Sequence, residues 1–436
     1  MPEEQNDSSV AEQQDNGTPP VESNEPDDAR AETEPNIVTR FGRYLTTANS
    51  VMVTLYAFIL SLVIGAILLL VFDDKVQTAA GYFFARPTDL LLAAWLAISG
   101  AYGGLFEGAV VNIEDLLAFL NGAGSMSDVL YPISETLTYA APLIMAGLAV
   151  GLAFRAGLFN IGAEGQVLMG VVGATVVGFS FTLPAIIHIP LVLLAGALAG
   201  GAFGAIPGIL KARTGVHEVI TSIMLNYVAL HFLGWVVGLK WAAHEETPNQ
   251  SKAVAESARL PLIMGGELRS SLSILLAIAA GVVVWWLLSR STLGFQMRAV
   301  GFNQEAARTA GMSVPKAYVV TLASGGALAG IGGAFAVSGM GLPFAMSHST
   351  GSEIGFDGIT VALLGRAKPG GIVAAGLLFG AMRAGTSVMQ PEVPIDMVVV
   401  LQAVIVIFIA APALVKSLLR LRMPEGGLTT TTAKGW

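Results

Sequence analysis

Between two apolar stretches the chain reads Gly157-Leu158-Phe159-Asn160-Ile161-Gly162-Ala163-Glu164-Gly165-Gln166, which sets two carboxamides and a carboxylate close together. A carboxamide donates and accepts, so Asn160 and Gln166 can hold a polar uncharged solute, or each other across a break in a helix. Glu164 offers acceptors only. Glycines at 157, 162 and 165 interrupt any simple helix here. Polar groups and broken helices at membrane depth are tolerated where they face protein or a water-filled cavity. Two readings of Glu164 stand together. A helix starting near Ala163 places it in the first turn, where an acid is favoured by the macrodipole and can cap free N–H groups. In the other reading it touches a translocated solute, with Phe159, Asn160 and Gln166 in the same wall.

Two further places carry polar chemistry inside apolar sequence. Asp357 in Gly355-Phe356-Asp357-Gly358-Ile359 has the same pair of readings, a helix start or a pathway group. Asn226 in Met224-Leu225-Asn226-Tyr227 can bond to a neighbouring helix, or can contact a solute that also stacks on Tyr227. Arg383, inside another apolar segment, calls for a partner or for snorkelling to an interface. Catalytic signatures fail. His217-Glu218 begins like a zinc-protease helix, but position 221 is Thr. The chain has neither G-x-S-x-G nor a phosphate-binding G-x-x-x-x-G-K-[ST] loop, so it is read as a non-enzyme with no catalytic or metal residue.

The elements that position these groups are set by composition. Of 436 residues, 54% are hydrophobic and 12% charged, and mean hydropathy is +0.68. Apolar runs of roughly 20 residues, enough for about 30 Å of hydrocarbon, predict an all-α polytopic membrane protein. Cysteine is absent, which excludes disulfides and thiolate metal sites. The net charge of −8 is uneven: residues 1–36 carry −10 and the remainder +2. Residues 1–36 therefore read as a disordered acidic cytoplasmic tail, and the balance supports no nucleic-acid partner. The chain opens polar and acidic, so no signal peptide is expected.

About ten spans are predicted within a transmembrane domain at 37–422, with a C-terminal tail at 423–436. They fall near 51–71, 137–154, 167–183, 190–210, 219–239, 271–288, 317–340, 354–364, 371–388 and 395–415. The eighth is short and reads as a broken or half-length helix. Residues 72–134 contain an apolar stretch at 90–98 cut by glycines, read as an extracytoplasmic re-entrant insertion. With both termini inside, fourteen bases flank the spans on the cytoplasmic side, and six fall in the two longer external loops. Spans two to five and seven to ten are candidates for an inverted repeat, since an acid-bearing, Gly-rich break follows both span two and span seven. Gly196, Gly200, Gly204 and Gly208 share one helix face and suggest close helix packing.

The loop at 291–316 has a helix-favouring stretch, Asn303–Ala310, with Asn303 as its cap and Glu305 and Arg308 available to a partner. Its Glu305-Ala306-Ala307-x-x-x-Gly311 resembles the cytoplasmic loop by which permeases of ATP-binding-cassette importers dock their ATPase. With Phe159–Gln166, Glu218–Tyr227 and Phe356–Arg366, the chain is similar to inner-membrane permeases of the branched-chain-amino-acid/ribose type, in their nucleoside or simple-sugar branch. The resemblance spans about residues 45–420 and leaves the acidic tail and 72–134 unassigned. It implies a bacterial cytoplasmic membrane protein that imports nucleosides or, alternatively, a ribose-like sugar by alternating access. It implies an ABC ATPase carrying ATP and Mg, a second, distinct permease, and an extracytoplasmic solute-binding lipoprotein. It also implies an ATPase-coupling role for Arg298, Glu305, Ala306, Ala307, Arg308 and Gly311. An ion-coupled secondary transporter, using Glu164 or Asp357 as coupling group, is the reading from another class.

Overall fold

In the computed structural model, residues 50–341, 343–389, 400, 403–404, 407–408 and 412–419 are described. Both tails and most of the tenth predicted span lie outside them. The chain is an all-α polytopic membrane protein. Eight helices among the described residues are long and apolar enough to cross a membrane.

In chain order the helices are α1 (Ser50–Phe72), α2 (Asp74–Gly81), α3 (Pro87–Ala109), α4 (Ile113–Leu120) and α5 (Met126–Arg155). Then come α6 (Ala163–Ser180), α7 (Ala185–Thr214), α8 (Glu218–Val237), α9 (Ser273–Arg290), α10 (Thr292–Phe302) and α11 (Gln304–Thr309). The last are α12 (Val314–Ser338), α13 (Ile354–Leu364), α14 (Pro369–Met389) and α15 (Pro412–Leu418). Local signals account for several ends. Ser125 and Asp128 form a capping box at the start of α5. Gly215, with φ +71, turns the chain out of α7 in the left-handed conformation.

The apolar stretch of the 72–134 segment lies inside one helix. The glycines at 100, 103 and 104 do not cut the apolar stretch short. α3 runs unbroken for 23 residues and meets the length and hydropathy of a crossing helix. In a bilayer a freed backbone group has no water to turn to, so glycine weakens a helix there less readily than in water. α14 also lies hard against α3, where a methyl on Gly385 would strike the Leu105 backbone.

α5 is the most enclosed helix, with nearly every residue from Ala140 to Phe154 buried. α12 lies between α5 on one side and α6 and α7 on the other. Methyl groups added at Gly326 and Gly330 would strike the carbonyls of Gly200 and Gly196, and one at Gly333 would strike that of Val167. The glycine face expected on α7 thus meets the glycine face of α12, backbone against backbone. Close approach of this kind replaces the hydrophobic effect as the adhesive between helices in lipid. At one end of the bundle the stretch 239–272 folds over α5 and α12. Arg269 Nη1 donates to Glu135 Oε2 at 2.7 Å, and Ser270 N donates to the Ser134 hydroxyl at 2.8 Å. Burial disfavours the Arg269 charge most, but the Glu135 carboxylate, Tyr139 and Tyr131 together outweigh this and raise the Arg269 pKa above the ordinary arginine value.

Candidate functional site

The break between α5 and α6 is built by its own polar groups. Ala156 ends α5, and Gly157, at φ +70, reverses the chain in a conformation that strains any other residue. Asn160 Nδ2 donates to Gln166 Oε1 at 2.9 Å, and Gln166 Nε2 donates back to Asn160 Oδ1 at 3.0 Å. Both side chains are buried. Asn226 reaches in from α8: its Oδ1 accepts from Gly165 N at 2.9 Å, and its Nδ2 donates to Ile161 O at 3.0 Å. The three amides therefore satisfy one another and the opened backbone. Of the two alternatives open to Asn160 and Gln166, bonding across the break describes their geometry.

Glu164 does more than start its own helix. Its Oε1 accepts from Glu353 N at 2.8 Å and its Oε2 from Gly355 N at 2.8 Å. These N–H groups open the half-length helix α13, which lacks a side-chain cap from its own residues. A carboxylate on exposed helix-start N–H groups is favoured both by the charge-assisted bonds and by the macrodipole. So α6 and α13 begin at one point, joined by one buried carboxylate. The contact is tight: a methyl on Gly355 would strike the Glu164 backbone. Glu353, which precedes α13, is held at φ +70, a conformation uncommon for a residue with a side chain.

Asp357 sits in the first turn of α13 and pairs with Arg383 of α14 at 2.7 Å; Glu353 lies 3.9 Å from the same guanidinium. Arg383 is thus paired within the chain. Phe159 stacks near Phe154, with ring centroids 5.0 Å apart, and packs against the same buried cluster as Ile359 and Leu363 of α13. Tyr227 does not join this cluster. It points away from Asn226 and is 60% exposed on the outer side of α8. The reason is helical geometry, since successive residues project about 100° apart. Phe356 and the Glu353 side chain are also exposed.

One feature of the site escaped the sequence reading. Glu218, dismissed there as half of a failed protease motif, forms a 2.6 Å ion pair with Lys211 across the α7–α8 turn. Its other oxygen faces Phe159 N at 3.4 Å, tying the break to the hairpin. Lys211 also lies over the Tyr318 ring, 5.3 Å from its centroid. Opposite charges seven residues apart around Gly215 were the available signal.

The loop after α9 folds as two helices. Asn303 caps α11 by accepting from Glu305 N and Ala306 N, both at 3.0 Å. Ala307 is buried and anchors α11, while Ala306, Glu305 and Arg308 face outward. Glu305 and Arg308 pair at 3.2 Å with both side chains largely exposed. Gly311 closes the turn at φ +80 with open space around it. Arg298 is exposed on α10, its Nε donating to Gly294 O at 3.4 Å. Phe302, at 83% exposure, is a large apolar group left uncovered beside this surface.

Residues 133–410 match the family described as branched-chain amino acid transport system / permease component. The chain is 40% identical to the guanosine ABC transporter permease protein NupP of Bacillus subtilis, over 71% of this chain and 90% of that protein. It is 33% identical to the nucleoside ABC transporter permease protein NupB of Lactococcus lactis, over 80% of this chain and 94% of that protein. It is also 37% identical to the glucose ABC transporter permease protein TsgB13 of Haloferax volcanii, over 77% of this chain and 90% of that protein. No solved structure matches the chain.

Proposed function

The chain belongs to the branched-chain amino acid transport system / permease component family, and from that premise we propose that it is the membrane permease of an ATP-driven importer of nucleosides. The observation that carries the solute class is the 40% identity to the guanosine permease NupP across nine-tenths of that protein. A simple sugar is the second reading, favoured by the glucose permease TsgB13 at 37% identity.

The end of the bundle bearing Arg155, Lys211 and α11 lies in the cytoplasm, and the Arg269 end faces outward. Both termini are cytoplasmic. A separate ABC ATPase carries ATP and Mg and docks on Arg298 and the Glu305–Gly311 surface. A second permease completes the pathway, and an extracytoplasmic lipoprotein delivers the solute. The solute passes the exposed ring of Phe356 and half-buried Phe159, which can stack on a flat base. Asn160, Gln166 and Asn226 act one layer back, holding the break in shape, while Glu164 and Asp357 fix the two helix starts that line the route. Alternating access then consists of a joint movement of these starts.

Cells expressing the complete transporter provide the test. Uptake of labelled guanosine is expected to be competed by other nucleosides and left unchanged by excess glucose or ribose. Glucose or ribose uptake without nucleoside uptake would replace the nucleoside reading with the sugar one.

A further inference from the structure

The exposed loop and the polar break meet through two glycines. Gly301 is the penultimate residue of α10, immediately before the Phe302–Gly311 docking surface. A methyl on Gly301 would lie 2.6 Å from Arg155 O, 2.7 Å from Ala156 C and 2.8 Å from Gly157 N. A methyl on Gly157 would in turn lie 2.9 Å from Gly301 Cα. The contact is therefore main chain on main chain, with no side-chain rotamer between to absorb a displacement. Close-packed protein of this kind transmits strain with little compression. α10 is itself seated by buried Met297 and Val300 and capped by Ser291, which accepts from Gly294 N at 2.9 Å. On the far side of the contact, Arg155 Nε donates to Ala367 O at 2.8 Å, just past the end of α13. The strand of chain leaving Gly157 leads directly to Glu164, which holds the start of α13.

We propose that the Gly157–Gly301 contact is the positioning link through which movement of the docking loop reaches the Glu164-joined helix starts. The link rests on the reading of 303–311 as the ATPase-docking surface. Its consequence is that α10 and residues 156–162 shift together when the ATPase binds nucleotide.

The test uses the intact transporter in lipid, with hydrogen exchange followed before and after addition of a non-hydrolysable ATP analogue. In the unaltered complex, exchange is expected to change in both 303–311 and 156–162. Gly301→Ala is expected to keep the ATPase bound and the 303–311 response, to lose the 156–162 response, and to lower uptake about tenfold. Gly370→Ala, whose added methyl meets nothing within 4 Å, is expected to match the unaltered protein. A response at 303–311 with none at 156–162 in the unaltered complex overturns the link and leaves docking intact. An ATPase that fails to associate with the unaltered permease, with no response at 303–311, overturns the docking reading and the link with it. The unaltered complex decides the matter even where Gly301→Ala does not fold.

Discussion

Glu164→Ala is expected to abolish most uptake and to lower the Tm of the purified protein. The carboxylate accepts two backbone hydrogen bonds that no other side chain at the start of α13 replaces. A hydrogen bond to a charged group contributes about 1.5–3 kcal/mol, and a buried donor left empty costs a similar amount. Losing one bond from the transport-competent arrangement lowers its population about tenfold, and losing both lowers it about a hundredfold. Glu164→Gln separates the causes. The amide retains one acceptor oxygen but turns an N–H₂ group toward a backbone donor, so uptake between those of the native and alanine proteins is expected. Transport assays on the two variants at matched membrane levels check the order. Native uptake by Glu164→Ala would show that the junction of α6 and α13 does not matter to transport.

Glu305→Arg is expected to abolish uptake by a different route, with folding preserved. The Glu305–Arg308 pair is exposed and contributes little to stability, about 0–1 kcal/mol for pairs of this type. Reversing the charge should therefore leave membrane levels and Tm unchanged. It replaces an acid with a base on the surface offered to the ATPase and sets it beside Arg308. Charge mismatch at an interface weakens association even where the fold is untouched. The double variant Glu305→Arg with Arg308→Glu restores a pair within the loop and is expected to stay inactive, because the partner reads each charge at its own position. Co-purification of the ATPase measures the loss directly. An ATPase that remains bound to Glu305→Arg, with normal uptake, removes the docking assignment.

The fold was legible where hydropathy decides it. The half-length helix α13 falls on the span expected at 354–364, and the glycine face of α7 could be read as a packing surface from its spacing. The glycines at 100, 103 and 104 gave no sign that α3 runs unbroken through them, because the packing of α14 on it at Gly385 and Leu105 is a long-range contact. At the site, local roles were readable: Asn303 as a cap, and Glu164 and Asp357 in first turns. Long-range partners were not. Nothing near Glu164 in sequence indicates that its oxygens serve Glu353 and Gly355, and nothing near Asp357 points to Arg383. The side of α8 that Tyr227 occupies depends on which face Asn226 must turn to the break. The contact of Gly157 with Gly301 depends on how α10 packs, which no local pattern encodes.

In the proposed function, the solute moves with energy from ATP on a partner and not from an ion gradient. The direct measurement is nucleoside uptake by cells or proteoliposomes bearing the full transporter, with ATP held constant inside while ionophores collapse the H⁺ and Na⁺ gradients. Uptake is expected to persist, and to stop when ATP alone is withdrawn. Uptake that ends with the gradients and continues without ATP would contradict the proposed function.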